Sequence, residues 1–300
     1  MTEKSAQKPA LTKLHKWLAE LRNDDGNKYL HILLKEEANI PDDVWDELFV
    51  FIDHAHEGAR SSLRAPLGES LNPLMLGTKI DPAYGYPHKL NIIALQGFFG
   101  EILTGIIAES YETFGSSAWE VPVYLFRTHV TAFQQLEEIK QTDEWDKVIL
   151  GRTGDDGLAF ERGEDGGIIR WMACEAKCTS SHNATLINDN HEKLAHSVVT
   201  KPVDLLRTIA ALQDYVDDDY SRDWIQSLRE LYFDSENKKI ERCDLSVYVC
   251  GKMPVKNPTW ISTDEPHKTY TAKRKLTAVE VHITDIVTKI RSLYDRMDSK

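Results

Sequence analysis

The sequence is short of cysteine, of phosphate-binding glycine loops, of long apolar runs and of positive charge, and each shortage removes a class of function. Four cysteines in 300 residues do not make the disulfide framework of a secreted scaffold. Cys174 and Cys178 lie on or just past one predicted strand, so their sulfurs fall about 13 Å apart at ~3.3 Å per residue. That separation forbids both a disulfide and a shared zinc. Cys243 and Cys250 bracket a second predicted strand and read as core thiols. The opening MTEKSAQKPALTK lacks the apolar run of a signal peptide, and no apolar stretch reads as long enough to cross a bilayer. The expectation is a cytoplasmic protein without a membrane segment. No G-x-x-x-x-G-K-[ST] is present, which excludes a P-loop motor. The net charge of −12 is unsuited to gripping a polyanion unaided, because phosphate neutralisation supplies most non-specific affinity. Either the cations are clustered or a partner holds the polyanion.

What the sequence does contain is concentrated at 151–177, GRTGDDGLAFERGEDGGIIRWMACEAK. Two strands are predicted, one over Leu158–Phe160 and one from Ile168 to Lys177. The glycine-bearing stretch Arg162–Gly167 joins them. Alternation places Glu175 and Lys177 on one strand face with Ala173, Trp171 and Ile169. Asp156, just before the first strand, is near enough to meet that face. Two carboxylates in one small volume oppose each other's ionisation unless a cation neutralises them. Their hard oxygens suit Mg²⁺ (or Mn²⁺), with Asp156 and Glu175 as metal ligands. Asp155 remains an alternative to Asp156. Lys177 then orients an attacking water or helps to deprotonate it. A metal, a water and a cationic stabiliser are the parts that phosphodiester hydrolysis requires.

Taken in order, residues 1–90 read as a mainly helical accessory region. The helical pattern runs from Leu11 to about His56 through Leu14, Trp17, Leu18 and Leu21, and a Pro- and Gly-bearing break covers 58–90. Residues 91–300 read as the main α/β domain. In the helix predicted over 90–114, Leu95, Phe98, Phe99, Ile102, Leu103, Ile106 and Ile107 form a broad apolar face. Gly97, Gly100, Glu101, Thr104, Gly105 and Ala108 lie opposite, so that side packs closely against something. Strand character follows at 119–129, a helix at 133–144, and a short strand at Val148–Leu150. Helices are predicted at 189–199, 202–216 and 221–233, strands at 244–251 and 276–283, and a closing helix after Thr284-Asp285. The loop between the last strands carries Lys273, Arg274 and Lys275 with Trp260 and Tyr270 interleaved. It is the candidate phosphate-contacting segment.

The spacing Asp156-(18 residues)-Glu175-Ala176-Lys177 resembles the PD-(D/E)xK nuclease superfamily, although no Pro precedes the Asp. GFFGE at 97–101, GDDGLAF at 154–160, CEAK at 174–177 and KLTAVEVHITD at 275–285 together resemble the HamA nuclease subunits of bacterial Hachiman antiphage systems. The resemblance covers roughly 90–300. It implies a restriction-endonuclease-like core with a mixed central sheet flanked by helices, with Glu101 adding a third acidic group to the site. It also implies a metal-dependent DNA endonuclease held in check by a helicase of the HamB type. Two other readings stay open: a non-catalytic interaction subunit with a nuclease fold, and a stand-alone restriction or repair nuclease.

Overall fold

The computed structural model describes the chain apart from residues 1–5, 25, 27, 65–80, 127–135, 137, 146–155, 198, 200, 216–217, 234–239 and 300. Its centre is a mixed sheet of seven strands: β1 (Leu18–Asp24), β2 (Tyr29–Glu36), β3 (Trp119–Glu120), β4 (Gly157–Arg162), β5 (Ile168–Thr179), β6 (Glu241–Cys250) and β7 (Lys275–His282). The spatial order is β1-β2-β7-β6-β5-β4-β3. The inner strands β2, β7, β6 and β5 run parallel, and β1, β4 and β3 add antiparallel edges. Apart from their first residues, β6 and β7 are buried along their whole length. The alternation read at 276–283 therefore runs between two buried cores and not between core and solvent.

Helices cover both faces, as the expected α/β class with a mixed sheet requires. On one side lie α1 (Asp42–Ala55), α2 (Glu57–Arg64), α3 (Ile92–Ser110) and the closing α7 (Ile286–Asp295). They pack on Met172, Cys174, Leu245, Val247, Val279 and Val281. On the other lie α4 (Ala184–His196), α5 (Leu205–Gln213) and α6 (Asp219–Phe233). These meet Trp171, Ala173, Tyr248, Leu276 and Ala278. Alternation along each strand assigns each residue to one core or the other.

Helix α3 has the length and composition of a bilayer-crossing segment, contrary to the sequence reading, but 72% of that stretch is buried inside the molecule. Asn91 caps it, its side chain accepting from Ala94 N (2.9 Å). The close packing expected of its small side is present at two glycines. A Cβ on Gly100 would stand 3.1 Å from Cys178 Cβ, and one on Gly105 would stand 2.4 Å from the Tyr124 hydroxyl.

The mainly helical accessory region expected over 1–90 needs correction. Residues 18–36 form a hairpin, and β2 pairs in parallel with β7, so this stretch is part of the central sheet. Leu14 and Trp17 are buried in and just after a short 3₁₀ turn, whereas Leu21, assigned to the same helical seam, is 63% exposed on the edge strand. Strand β2 is buried on both faces, and such a run cannot be told from a buried helix by periodicity. The break expected at 58–90 begins with α2, whose Arg60 pairs with Asp53 and Glu57. The strand expected at 119–129 is only Trp119–Glu120 among the described residues. The next amide, Val121 N, donates to the Glu109 carboxylate (2.7 Å) and not to a neighbouring strand. Residues 138–142 are helical as expected, while the strand at Val148–Leu150 lies outside the described residues.

Candidate functional site

The β4–β5 hairpin forms where its turn chemistry predicts. Gly166 adopts φ +78°, Gly163 N donates to Gly167 O (2.8 Å), and Gly167 N donates to Asp165 Oδ1 (3.0 Å). The turn, together with a one-residue register shift between Glu161 and Arg162, sets Gly157 opposite Cys174. One step further, Asp156 N donates to Cys174 O (3.0 Å), and Asp156 Oδ2 accepts from Ala176 N (2.9 Å). The register thus carries the Asp156 carboxylate to the backbone beside Glu175. Asp155 lies outside the described residues.

Glu175 is completely buried. Among the described residues no backbone N–H donates to either of its carboxylate oxygens. Burial raises its proton affinity well above the ordinary carboxylate range, and the neighbouring Asp156 raises it further. Lys193 of α4 opposes both effects. Its ammonium is in ion contact with Glu175 Oε1 and lies 3.8 Å from Asp156 Oδ1. One cation therefore faces two carboxylates.

Lys193 and Asn190 are the residues that sequence reasoning missed. They are three apart on α4, hence on one helix face. Asn190 is fully buried, and its Nδ2 lies within reach of three acceptors: Glu175 O (3.2 Å), Ser246 Oγ (2.9 Å) and Val247 O (3.3 Å). The amide ties α4 to β5 and β6, which sets where Lys193 arrives. A signal was available: a polar i, i+3 pair, Asn then Lys, on the helix directly following the acidic strand.

Lys177 is half-buried on β5, in register with Tyr248. It shares the Glu175 face, about 7 Å along the strand. Glu101 comes from the other layer. Its neighbour Gly100 sits over Ala176 and Cys178, which alternate with Glu175 and Lys177 and so face the opposite side of the sheet. Glu101 is half-buried and contributes to raising the proton affinity of the buried Tyr294 hydroxyl, after burial and Tyr86.

The proposed phosphate-contacting trio is largely engaged within the protein. Arg274 donates to the buried Asp244 (2.9 Å) and to Leu194 O (2.7 Å), and Lys275 pairs with Glu241 (3.1 Å). Only Lys273 of the three is exposed. Nor are the interleaved aromatics free platforms, since the Tyr270 hydroxyl donates to Asp244 and Trp260 stacks on His182 with ring centroids 4.3 Å apart. His191 is buried, with Nδ1 bound to Ile187 O (2.8 Å), and burial pushes its pKa down to about 4, so the ring is neutral.

The donor set at the hairpin fits a hard divalent cation. Two carboxylates converge, one of them fully buried, and the single Lys193 ammonium leaves the pair short of one positive charge. No group of three or more His, Cys, Asp or Glu side chains suited to holding a metal occurs among the described residues. A cation here would take two protein ligands and complete its shell with water, as Mg²⁺ commonly does. Compared with known proteins, the chain matches no family model and no curated sequence.

Proposed function

We propose that this chain is a metal-dependent DNA endonuclease of the PD-(D/E)xK type, acting as the effector of an antiphage system under the control of a partner helicase. The observation that carries the catalytic part is the fully buried Glu175 beside Asp156 at the mouth of one hairpin, two carboxylates that share one partly exposed ammonium. Such a group is expensive in a structural role and useful in a site that binds cations.

When bound, the divalent cation lowers the proton affinity of a water and withdraws charge from a phosphate oxygen. The chain's own residues do the rest. Asp156 is aimed by the Ala176 amide, and Glu175 by its position on a rigid inner strand. Lys177, from the same face, orients the attacking water or stabilises charge developing on the phosphate. The water oxygen bonds to phosphorus, the phosphorus–oxygen bond to the leaving group breaks, and the products are a phosphate monoester and a hydroxyl. Glu101 is assigned a supporting role from α3.

The partner part rests on the resemblance to HamA nuclease subunits and on charge. A net charge of −12 opposes unaided binding to DNA, and Arg274 and Lys275 are already paired within the protein. A helicase of the HamB type would supply that grip. The competing reading, a non-catalytic interaction subunit, is favoured by one observation: Lys193 already neutralises the carboxylates. Incubating the purified chain with plasmid and oligonucleotides, with Mg²⁺ or chelator and with or without the helicase, separates the two. Cleavage that requires Mg²⁺ and disappears in Lys177→Ala supports the nuclease; no cleavage under any of these conditions supports the interaction subunit.

A further inference from the structure

Lys193 reaches the carboxylate pair from outside. Its side chain is 40% exposed, while Glu175 beneath it is 0% exposed and Asp156 is 18% exposed. The long stem runs along the α4–β5 seam and delivers only its tip. Asn190, one helical turn earlier, holds α4 against the backbone of β5 and β6 through a single buried amide. The anchoring and the charge are thus on different residues. The ammonium can swing into solvent without disturbing the packing of the helix.

A point contacted by one ammonium and two carboxylates is the point that a divalent cation would take, and two cations do not share it. Resting on the nuclease reading above, we propose that Lys193 is a tethered counter-ion of the Asp156–Glu175 pair, which a divalent metal must displace in order to bind. Lys193 keeps the buried carboxylates compensated in the metal-free protein and, by competing, sets how tightly the site holds its metal. The metal affinity of the site is then decided by α4 as well as by the hairpin. On displacement, Lys193 moves to the exposed mouth of the site.

The test is Mn²⁺ binding to the purified full chain by calorimetry, with melting temperatures in chelator and in saturating Mn²⁺. Lys193→Gln is expected to bind Mn²⁺ about tenfold tighter or more, a usual size for coupling between two sites. It is also expected to melt lower than wild type in chelator and to recover the difference in Mn²⁺. Lys193→Arg, which keeps the charge, is expected to bind like wild type. A second readout uses the unaltered protein: amine acetylation followed by mass spectrometry, in which Lys193 should be modified faster once Mn²⁺ is bound. Unchanged or weaker Mn²⁺ affinity in Lys193→Gln, or unchanged acetylation of Lys193 at Mn²⁺ saturation, overturns the inference. If Asp156→Asn and Glu175→Gln bind Mn²⁺ as wild type does, the metal-site reading fails and the inference with it. If those two lose Mn²⁺ while Lys193→Gln gains nothing, only the inference fails.

Discussion

Glu175 and Glu280 are the same residue type, both 0% exposed, on strands β5 and β7 of one sheet. Both point to the α4 side, since Glu280 shares a cross-strand row with Tyr248 and Lys177. Their surroundings differ. Glu280 accepts from Trp260 N (3.0 Å), from Ile261 N and from His282 Nε2 (3.0 Å), and His31 Nε2 lies 3.6 Å away. Burial alone would raise its pKa, but these donors overcome burial and hold it down at about 2. Glu175 has no backbone donors among the described residues and meets the partly exposed Lys193 ammonium instead, and burial with Asp156 drives its proton affinity up. A buried carboxylate surrounded by donors pins a structure; one left without them waits for a cation. Here Glu280 fastens the 260–261 segment to β7, and Glu175 stands in the candidate active site.

The largest expected effect tests the structural member of the pair. Glu280→Ala should lose about 3–5 kcal/mol of stability, the usual cost of breaking a buried charge network. Glu175→Gln should be neutral or stabilising in chelator, because it relieves the repulsion between two carboxylates that share one ammonium. Denaturant unfolding of the two variants side by side decides this, and equal losses would break the comparison.

Cleavage should sort them the other way. Glu175→Gln should lower Mg²⁺-dependent plasmid cleavage by about 10²–10³, as loss of one preorganised electrostatic group does, and Lys177→Ala and Asp156→Asn should do the same. Glu280→Gln, assayed as folded protein, should stay within about tenfold of wild type, since its donors serve the fold and not the substrate. Loss of cleavage in Glu280→Gln equal to that in Glu175→Gln would merge the two roles.

The pH dependence of the metal-free protein should differ in sign between the two. The folded-state pKa of Glu280 is depressed, so its contribution is fully present above the unfolded value and is lost as pH falls towards about 2. That contribution is worth about 3 kcal/mol. Glu175 is shifted upward, so its contribution is favourable in acid and is lost as pH rises past the ordinary carboxylate range. Melting curves against pH for wild type and each Gln variant test this. Glu280→Gln should remove the acid-side loss, and Glu175→Gln the loss on the other side.

Smaller effects should come from the flanks. Arg274→Ala should cost about 2 kcal/mol by removing a charged donor from buried Asp244, which keeps Arg242 and Tyr270. Lys273→Ala, on the exposed loop, should stay within about 0.5 kcal/mol in the same denaturation assay. Glu101→Gln should lower cleavage by about tenfold at most, less than any substitution at the hairpin, because α3 packs on the opposite face of β5. A loss as deep as that of Glu175→Gln would bring Glu101 into the centre of the site.

The hairpin was legible because its signals are local: a glycine turn, two strands and strict alternation placed Glu175 and Lys177 on one face and Asp156 beside them. The parallel strands β6 and β7 were legible as strands at 244–251 and, by alternation, at 276–283. The β1–β2 hairpin was not, because β2 is buried on both faces and shows no period of two. Lys193 and the partners of Glu280 were hidden for another reason. Contacts such as Glu175–Lys193, or Trp260 and Ile261 with Glu280, are settled by how α4 and the 252–274 loop pack on the sheet. Arg274 shows the same limit, since its sequence setting suggested a free cation while its partner, Asp244, lies thirty residues earlier and buried.

The most direct test is anomalous diffraction from crystals soaked in Mn²⁺. The account predicts a peak bound by the Asp156 and Glu175 carboxylates, with the Lys193 ammonium moved away from both. No peak at saturating Mn²⁺, with Lys193 still seated on Glu175, would contradict it and leave the pair a structural ion cluster like that of Glu280.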